Sequence, residues 1–243
     1  MKLIKLDAID STNDFLKRLS VEQSLENFTV VTAESQTRGK GQMGAKWDSE
    51  IGKNLMFSVL VNNVLNTISE IFDLNVAVAL SILTTLEKNK IPNLSIKWPN
   101  DILSENKKVA GILIENTIKN NGEITSIIGI GLNVNQINFD NLPKASSMAV
   151  ISKKEFDKEI ILNQLIVCLK SNCDILQNKL TTQLWNSYNK NLFKIGIPMA
   201  FSLPNGKKFM GIIQGVNSSG KLEVKIENDS IETFGIKEIQ LLY

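Results

Sequence analysis

Apolar and polar residues roughly alternate from Leu3 to Ile9, the period of a half-buried strand. Asp10-Ser11-Thr12-Asn13 then offers several helix-capping side chains. Phe15, Leu16 and Leu19 fall on one side of a predicted helix over Asn13–Leu19. Phe28–Thr32 and Leu55–Val61 are β-rich apolar runs of strand length. Between them the pattern lapses: Ser35–Lys53 holds four glycines, several Lys and Arg and few apolar residues, which predicts a long loop. Ile71–Leu86 has a nearly all-apolar middle and is predicted as a helix buried on most sides.

Strand-like patterning resumes at Leu94–Lys97 and runs into Trp98-Pro99-Asn100-Asp101. Val109–Glu115 and Ile124–Ile130 are predicted as two strands joined at Asn120-Asn121-Gly122, a good hairpin turn, and Gly129-Ile130-Gly131-Leu132-Asn133 closes the second. Apolar residues at 156, 160, 161, 165, 168 and 169 mark an amphipathic helix over Phe156–Leu169, and Leu184–Tyr188 belongs to another short one. From about Gly196 turn signals recur every ten residues or so: Pro204-Asn205-Gly206, Asn217-Ser218-Ser219-Gly220 and Glu227-Asn228-Asp229. That rhythm predicts a small β-barrel or sandwich. The expected division is residues 1–190 and 191–243.

Composition narrows the chemistry. The 243 residues are 43% hydrophobic and 21% charged, typical of a chain that buries its own core. With 27 basic and 25 acidic residues the net charge is +2, so any basic site is local. There is no histidine, which excludes Ser-His-Asp and Cys-His nucleophilic systems and His-ligated metals. Cys168 and Cys173 are too few for a four-cysteine zinc site. On one helix they point roughly 140° apart, so both read as core residues. The longest apolar stretch, Val76–Leu83, falls short of a membrane span, and no targeting segment stands out; a cytoplasmic location without membrane attachment is expected.

Three segments carry candidate chemistry. In Gln36-Thr37-Arg38-Gly39-Lys40-Gly41-Gln42-Met43-Gly44-Ala45-Lys46-Trp47, glycines let backbone N–H groups approach anionic oxygens, lysines and an arginine add charge, and Trp47 offers a flat face. A solvated surface loop is the plain alternative, and the spacing is neither a P-loop nor a dinucleotide fingerprint. Lys97-Trp98-Pro99-Asn100-Asp101 and Lys108-Val109-Ala110-Gly111 bring two lysines, an Asn and an Asp to strand ends. Lys97 alone reads as an edge lysine, whereas Lys108 directly enters an apolar strand. Gly129 and Gly131 alternate within a strand and mark close approach of backbone or ligand, or a bulge.

Taken in order, Ser11-Thr12-Asn13, the Gln36–Trp47 loop, KWPND at 97–101, KVAGILIE at 108–115 and GIGLN at 129–133 resemble the biotin protein ligases, or biotin–[acetyl-CoA-carboxylase] ligases, over essentially the whole chain. The resemblance implies an α+β fold: a mixed β-sheet flanked by helices, like a class II synthetase, followed by a small C-terminal SH3-like β-barrel. It implies a two-step reaction. Biotin and MgATP give biotinyl-AMP, and a lysine of a biotin carboxyl carrier protein, an acetyl-CoA carboxylase subunit, then takes the biotin. Biotin, ATP and Mg2+ are the small molecules implied. The chemistry needs charge stabilisation and positioning more than proton transfer, which suits a chain without histidine.

By the same resemblance Lys108 and Lys40 would be the catalytic cations. Ser11, Thr12, Asn13, Gln36, Gly39, Lys40, Gly41, Gln42, Lys108, Gly111 and Leu113 would hold biotin. Lys40, Gly41, Gln42, Met43, Trp47, Lys97, Asn100, Asp101, Lys108 and Asn133 would hold the nucleotide and its magnesium. The family loop commonly carries arginines where this chain has Gln42 and Ala45, so adenylate is expected to be held less tightly unless Arg38 or Lys46 compensates. The short form is expected, with no N-terminal helix-turn-helix and no DNA binding; monomer and homodimer are both open. A lipoate–protein ligase or lipoyl/octanoyl transferase on the same fold is the nearest alternative. A non-catalytic biotin or adenylate sensor is the alternative from another class.

Overall fold

The structure, a computed structural model, describes residues 2–243. β1 (Leu3–Ile9), α1 (Thr12–Glu22) and β2 (Val30–Gln36) form a parallel strand–helix–strand unit. Ser11 caps α1 as the sequence suggests, its side chain accepting from the Asp14 N–H. β3 (Leu55–Asn62) follows the glycine-rich loop. α2 (Ile71–Lys88) leads to the short strands β4 (Leu94–Lys97) and β5 (Asp101–Ser104), and β6 (Lys107–Ile118) and β7 (Ile124–Leu132) complete a seven-stranded sheet of order β1-β2-β3-β7-β6-β5-β4. Only β1 and β2 run parallel; every other neighbour pair is antiparallel. The β6–β7 turn closes at Gly122, whose φ of 87° suits a residue without a Cβ.

β3 is buried at seven of its eight positions because it lies centrally and is covered on both faces. After the short helix α3 (Met148–Ser152), α4 (Lys158–Gln177) and α5 (Thr182–Lys190) join α2 on one face of the sheet in a single continuous core. On the other face Leu16 of α1 meets Val31, Leu60 and Ile127. α1 covers only part of that face, and the remainder is open to a cavity.

Several elements differ from the sequence expectation. The second strand starts at Val30, since Phe28 has a φ of 61° and turns the chain. α1 runs to Glu22 and buries Leu16, with Phe15 and Leu19 only half-buried. α4 runs on to Gln177, burying both Cys168 and Cys173. A helical stretch, Ile68–Lys88, is long and apolar enough to cross a membrane, contrary to the expectation from the apolar run alone; here it lies in the protein core. Its polar members are satisfied there: Ser81 and Thr85 donate to the carbonyls four residues back, at 2.6 and 2.8 Å.

The C-terminal part is a five-stranded antiparallel sheet made of β8 (Pro198–Ser202), β9 (Lys208–Val216), β10 (Leu222–Ile226), β11 (Ile231–Phe234) and β12 (Gln240–Leu242), in the order β11-β10-β9-β8-β12. Phe201, Phe209 and Phe234 stack in its interior at 5.6 and 6.0 Å. Its Gly220 turn rests on Phe72 of α2 and accepts from Trp98 Nε1 at 2.9 Å, so the two sheets share one packed seam.

Candidate active site

The open sheet face is built by strand alternation. Residues two apart share a face, and cross-strand partners line up in rows. One row runs Asp101, Gly111, Gly131, Met56 and Ala33; the next runs Leu113, Gly129, Ser58 and Val31. Three glycines in two adjacent rows strip the face to backbone and leave a trough. Two side chains press into it. The Trp47 indole lies over Gly131 and Gly111, and the Asn13 carboxamide lies over Gly129. A Cβ at Gly131 or Gly129 would overlap these groups, which is the physical reason for glycine at both positions.

The trough is the floor of a cavity of about 220 Å³. One end is polar and neutral. Gln36 Oε1 accepts from the Thr12 N–H at 2.8 Å and from Thr12 Oγ1 at 3.1 Å; Ser58 Oγ stands 2.8 Å from Thr12 Oγ1 and 2.6 Å from Asn13 Oδ1. Asn13 Nδ2 donates to Glu115 and to the Leu113 carbonyl, at 2.9 and 3.3 Å. The other end is charged. Lys108 Nζ pairs with Asp101 Oδ1 at 2.6 Å and stands 5.5 Å from the centre of the Trp47 ring. Lys108 is fixed along its backbone as well: its N–H donates to the Lys144 carbonyl and its carbonyl accepts from the Ser146 N–H. Lys46 and Lys108 against Asp101 leave the lining with a net charge of +1, Lys40 being paired with Asp14 outside it, and this suits an anion.

The glycine-rich loop forms the roof and is a folded hairpin, not a solvated coil. Gly41 N–H donates to the Ala45 carbonyl at 2.7 Å, Lys40 and Lys46 face each other as a β-bridge, and Trp47 N–H donates to the Gly39 carbonyl. Lys40 Nζ reaches Asp14 on α1 at 2.7 Å, and that hydrogen bond chiefly raises the lysine's pKa above its usual value. Gln42 Oε1 and Trp47 Nε1, on two residues that line the cavity, are buried without a hydrogen-bond partner among the described residues.

Of the residues that the resemblance assigns to the site, Ser11, Thr12, Asn13, Gln36, Lys40, Gly41, Gln42, Trp47, Asn100, Asp101, Lys108, Gly111 and Leu113 line this one cavity. Four do not. Gly39 is buried against the Trp47 backbone. Met43 points outward, 60% exposed, at a φ of 53°. Lys97 lines a separate hollow of about 560 Å³ between the two sheets, though its Nζ is 3.9 Å from Asp101 Oδ2. Asn133 is buried, its carboxamide donating to the Ser146 carbonyl at 3.0 Å, so it steadies the turn beneath Lys108. Ser58, Met56, Lys46 and Gly129 also shape the site. Ser58 carries the clearest signal in the sequence, a lone hydroxyl inside the apolar run 55–61. Among the described residues no three His, Cys, Asp or Glu side chains cluster as a metal site would require.

A glycine-floored trough on a mixed sheet, with a neutral polar corner, a lysine–aspartate end and a basic glycine-rich roof, suits a ligand with a neutral head and an anionic tail. Residues 6–135 match the Biotin/lipoate A/B protein ligase family, and the chain belongs to that family. Its relatives lie on the biotin side. It is 30% identical to the "Bifunctional ligase/repressor BirA" of Bacillus spizizenii, across 98% of this chain and 71% of that protein. It is 29% identical to the "Biotin--[acetyl-CoA-carboxylase] ligase" of Mycobacterium tuberculosis, across 87% of this chain and 79% of that one. Among solved structures it superimposes on the biotin protein ligase of Aquifex aeolicus in complex with biotin and ATP, at 27% identity and a TM-score of 0.82, covering 99% of this chain and 98% of that one.

Proposed function

We propose that this chain is a biotin protein ligase that forms biotinyl-AMP from biotin and ATP and passes the biotin to a lysine of a carrier protein. The observation that carries the reading is the order of chemistry along the trough. Biotin has a neutral ureido ring, an apolar body and a carboxylate tail. These parts match, in sequence, the Thr12–Gln36–Ser58 corner, the Trp47 indole seated on the glycine floor, and Lys108 held by Asp101. Lipoate has no hydrogen-bonding head group. A ureido ring can add hydrogen bonds in this corner that lipoate cannot make, at about 0.5–1.5 kcal/mol for each.

In the first step a biotin carboxylate oxygen attacks the α-phosphorus of ATP, the bond to the bridging oxygen breaks, and pyrophosphate leaves with the electron pair. Lys108 supplies the positive charge where carboxylate and phosphate meet, and Asp101 fixes its ammonium without removing the charge. Magnesium enters with the nucleotide; Asp101 is the one carboxylate among the residues lining the cavity. Trp47 and the hairpin roof cover the mixed anhydride and keep water from it. In the second step the neutral amine of the carrier lysine attacks the acyl carbon, the C–O bond breaks, AMP leaves with the electron pair and the amide sheds a proton to solvent. Gly39 and Asn133 act as positioning residues behind this surface, and Asn13 holds the polar corner from within it. The acceptor proposed is the biotin carboxyl carrier subunit of acetyl-CoA carboxylase.

Incubation with MgATP and either biotin or lipoate, followed by mass spectrometry of the small-molecule fraction, tests the reading. Biotinyl-AMP is expected from the parent protein and is lost in Lys108→Ala. Preferential formation of lipoyl-AMP moves the chain to the lipoate branch, and the absence of both adenylates removes the ligase reading.

A further inference from the structure

The resemblance gives Lys40 to biotin and the phosphates, but the structure directs its charge elsewhere. Its Nζ is held by both carboxylate oxygens of Asp14, at 2.8 and 2.7 Å. Glu115 and Asp10 add to the negative potential around it. Asp14 lies in the first turn of α1, next to Ser11, Thr12 and Asn13, which build the polar corner. The base of the loop is secured by backbone bonds, Thr37 N–H to the Ile9 carbonyl and Arg38 N–H to the Asp10 carbonyl, and its far end by Trp47 on Gly131. Among the described residues the tip, 40–46, has two side-chain ties to the rest of the molecule: Lys40 to Asp14, and Lys237 Nζ to the Met43 carbonyl at 3.2 Å.

We propose that Asp14 is a positioning residue: by binding Lys40 it orders the roof before ligand arrives, and Lys40 acts through that pair and not as the cation of the reacting phosphate. Lys108, already paired at the junction, and Lys46 across the hairpin remain to meet the anion. An ordered roof lowers the ordering cost of binding, so the pair sets the affinity for biotin and leaves the chemical step alone. The kinetic part of this inference rests on the ligase reading; the ordering of the loop does not.

Two measurements separate them. Trypsin cuts after Arg38, Lys40 and Lys46, so limited proteolysis of the ligand-free protein reads roof order directly. Asp14→Asn is expected to raise the cleavage rate at Arg38 and Lys46 by about two- to five-fold, the worth of a partly exposed ion pair, with the melting temperature unchanged. In adenylation the same variant raises the biotin KM by a similar factor while kcat stays within about two-fold. The exchanged pair, Asp14→Lys with Lys40→Asp, restores both the protease resistance and the KM, although a lysine in the first turn of α1 is unfavourable for the helix. An exchanged pair as inactive in adenylation as Lys40→Asp alone would show that Lys40 serves the phosphate, and a cleavage rate unmoved by Asp14→Asn would show that the pair orders nothing. Either result overturns the proposal. Loss of adenylation in every variant and in the parent, with the proteolysis pattern as expected, would instead count against the ligase reading alone.

Discussion

The three floor glycines make a graded experiment, because an added methyl group meets a different neighbour at each. At Gly131 a Cβ would stand 2.5 and 2.8 Å from Trp47 Cζ2 and Cδ2, so the indole must withdraw by roughly 1 Å to reach ordinary carbon contact. Overpacking of this kind costs about 1–3 kcal/mol, or about five- to 150-fold in a rate or an affinity. Trp47 sits on a roof hairpin outside the main core, so the cost falls on roof closure and not on the fold. Gly131→Ala is therefore expected to slow single-turnover adenylation by that factor and to move the melting temperature by less than about 2 °C. At Gly129 the methyl group would stand 2.9 Å from Asn13 Cγ, and Asn13 cannot retreat: it is 3% exposed and held by Ser58, the Leu113 carbonyl and Glu115. Here the same 1–3 kcal/mol falls on stability, about 2–4 °C for each kcal/mol in a chain of this size. At Gly111 the nearest atoms, Lys108 Cε and Nζ and Trp47 Cζ3, are all at 3.1 Å; the lysine end can give way without cost to the fold, but it carries the ammonium of the reacting junction, so the loss falls on the rate and not on the melting temperature. Differential scanning fluorimetry beside rapid-quench adenylation resolves the three outcomes. A Gly131→Ala protein that adenylates at the parent rate would refute the placement of Trp47 on the floor.

Other consequences follow from single side chains. Gln42→Arg adds a charge-assisted bond worth about 1.5–3 kcal/mol, so loss of pre-formed biotinyl-AMP should slow at least about ten-fold in a filter-binding chase; an unchanged off-rate would mean that Gln42 does not face the adenylate. Burial is the chief reason the Asp73 carboxyl titrates above 3.8, an effect the bond from Trp185 Nε1 only partly offsets. The native state therefore binds this proton more tightly than the unfolded chain, and the group disfavours folding once pH rises above its unfolded value. Asp73→Asn, which keeps an acceptor for Trp185, should melt no lower than the parent at pH 7, and the difference should shrink as pH falls toward 3.8; a lower melting point at pH 7 would contradict this. Burial pushes the Cys173 thiol up to about 12, so iodoacetamide should label it only after denaturation, and rapid native labelling in peptide mass mapping would be the contrary result.

Much of this architecture is legible from period alone. β1, β3, α2 and the hairpin at Gly122 all lie where the apolar pattern places them. β5 was hidden, since its four residues sit between the Trp98-Pro99-Asn100 turn and a second turn where Glu105 and Asn106 both have positive φ. The end of α4 was hidden because Lys170-Ser171-Asn172 interrupts the apolar stripe before Cys173 and Leu176 resume it. In the site, residue types were readable and partners were not. Asn133 and Lys97 have the chemistry of nucleotide ligands, yet Asn133 is engaged by Ser146 and Lys97 opens onto the neighbouring hollow. Which glycine lies under which side chain depends on register between strands distant in sequence, as with Gly111 opposite Gly131. Residue spacing along one strand holds no record of that.

Mass spectrometry of a biotin carboxyl carrier domain, after incubation with this protein, biotin and MgATP, reads biotin transfer itself. A mass gain of one biotinyl group on the carrier lysine is expected with the parent protein and none with Lys108→Ala. A carrier left unmodified by the parent protein, even when synthetic biotinyl-AMP is supplied, would contradict the ligase reading.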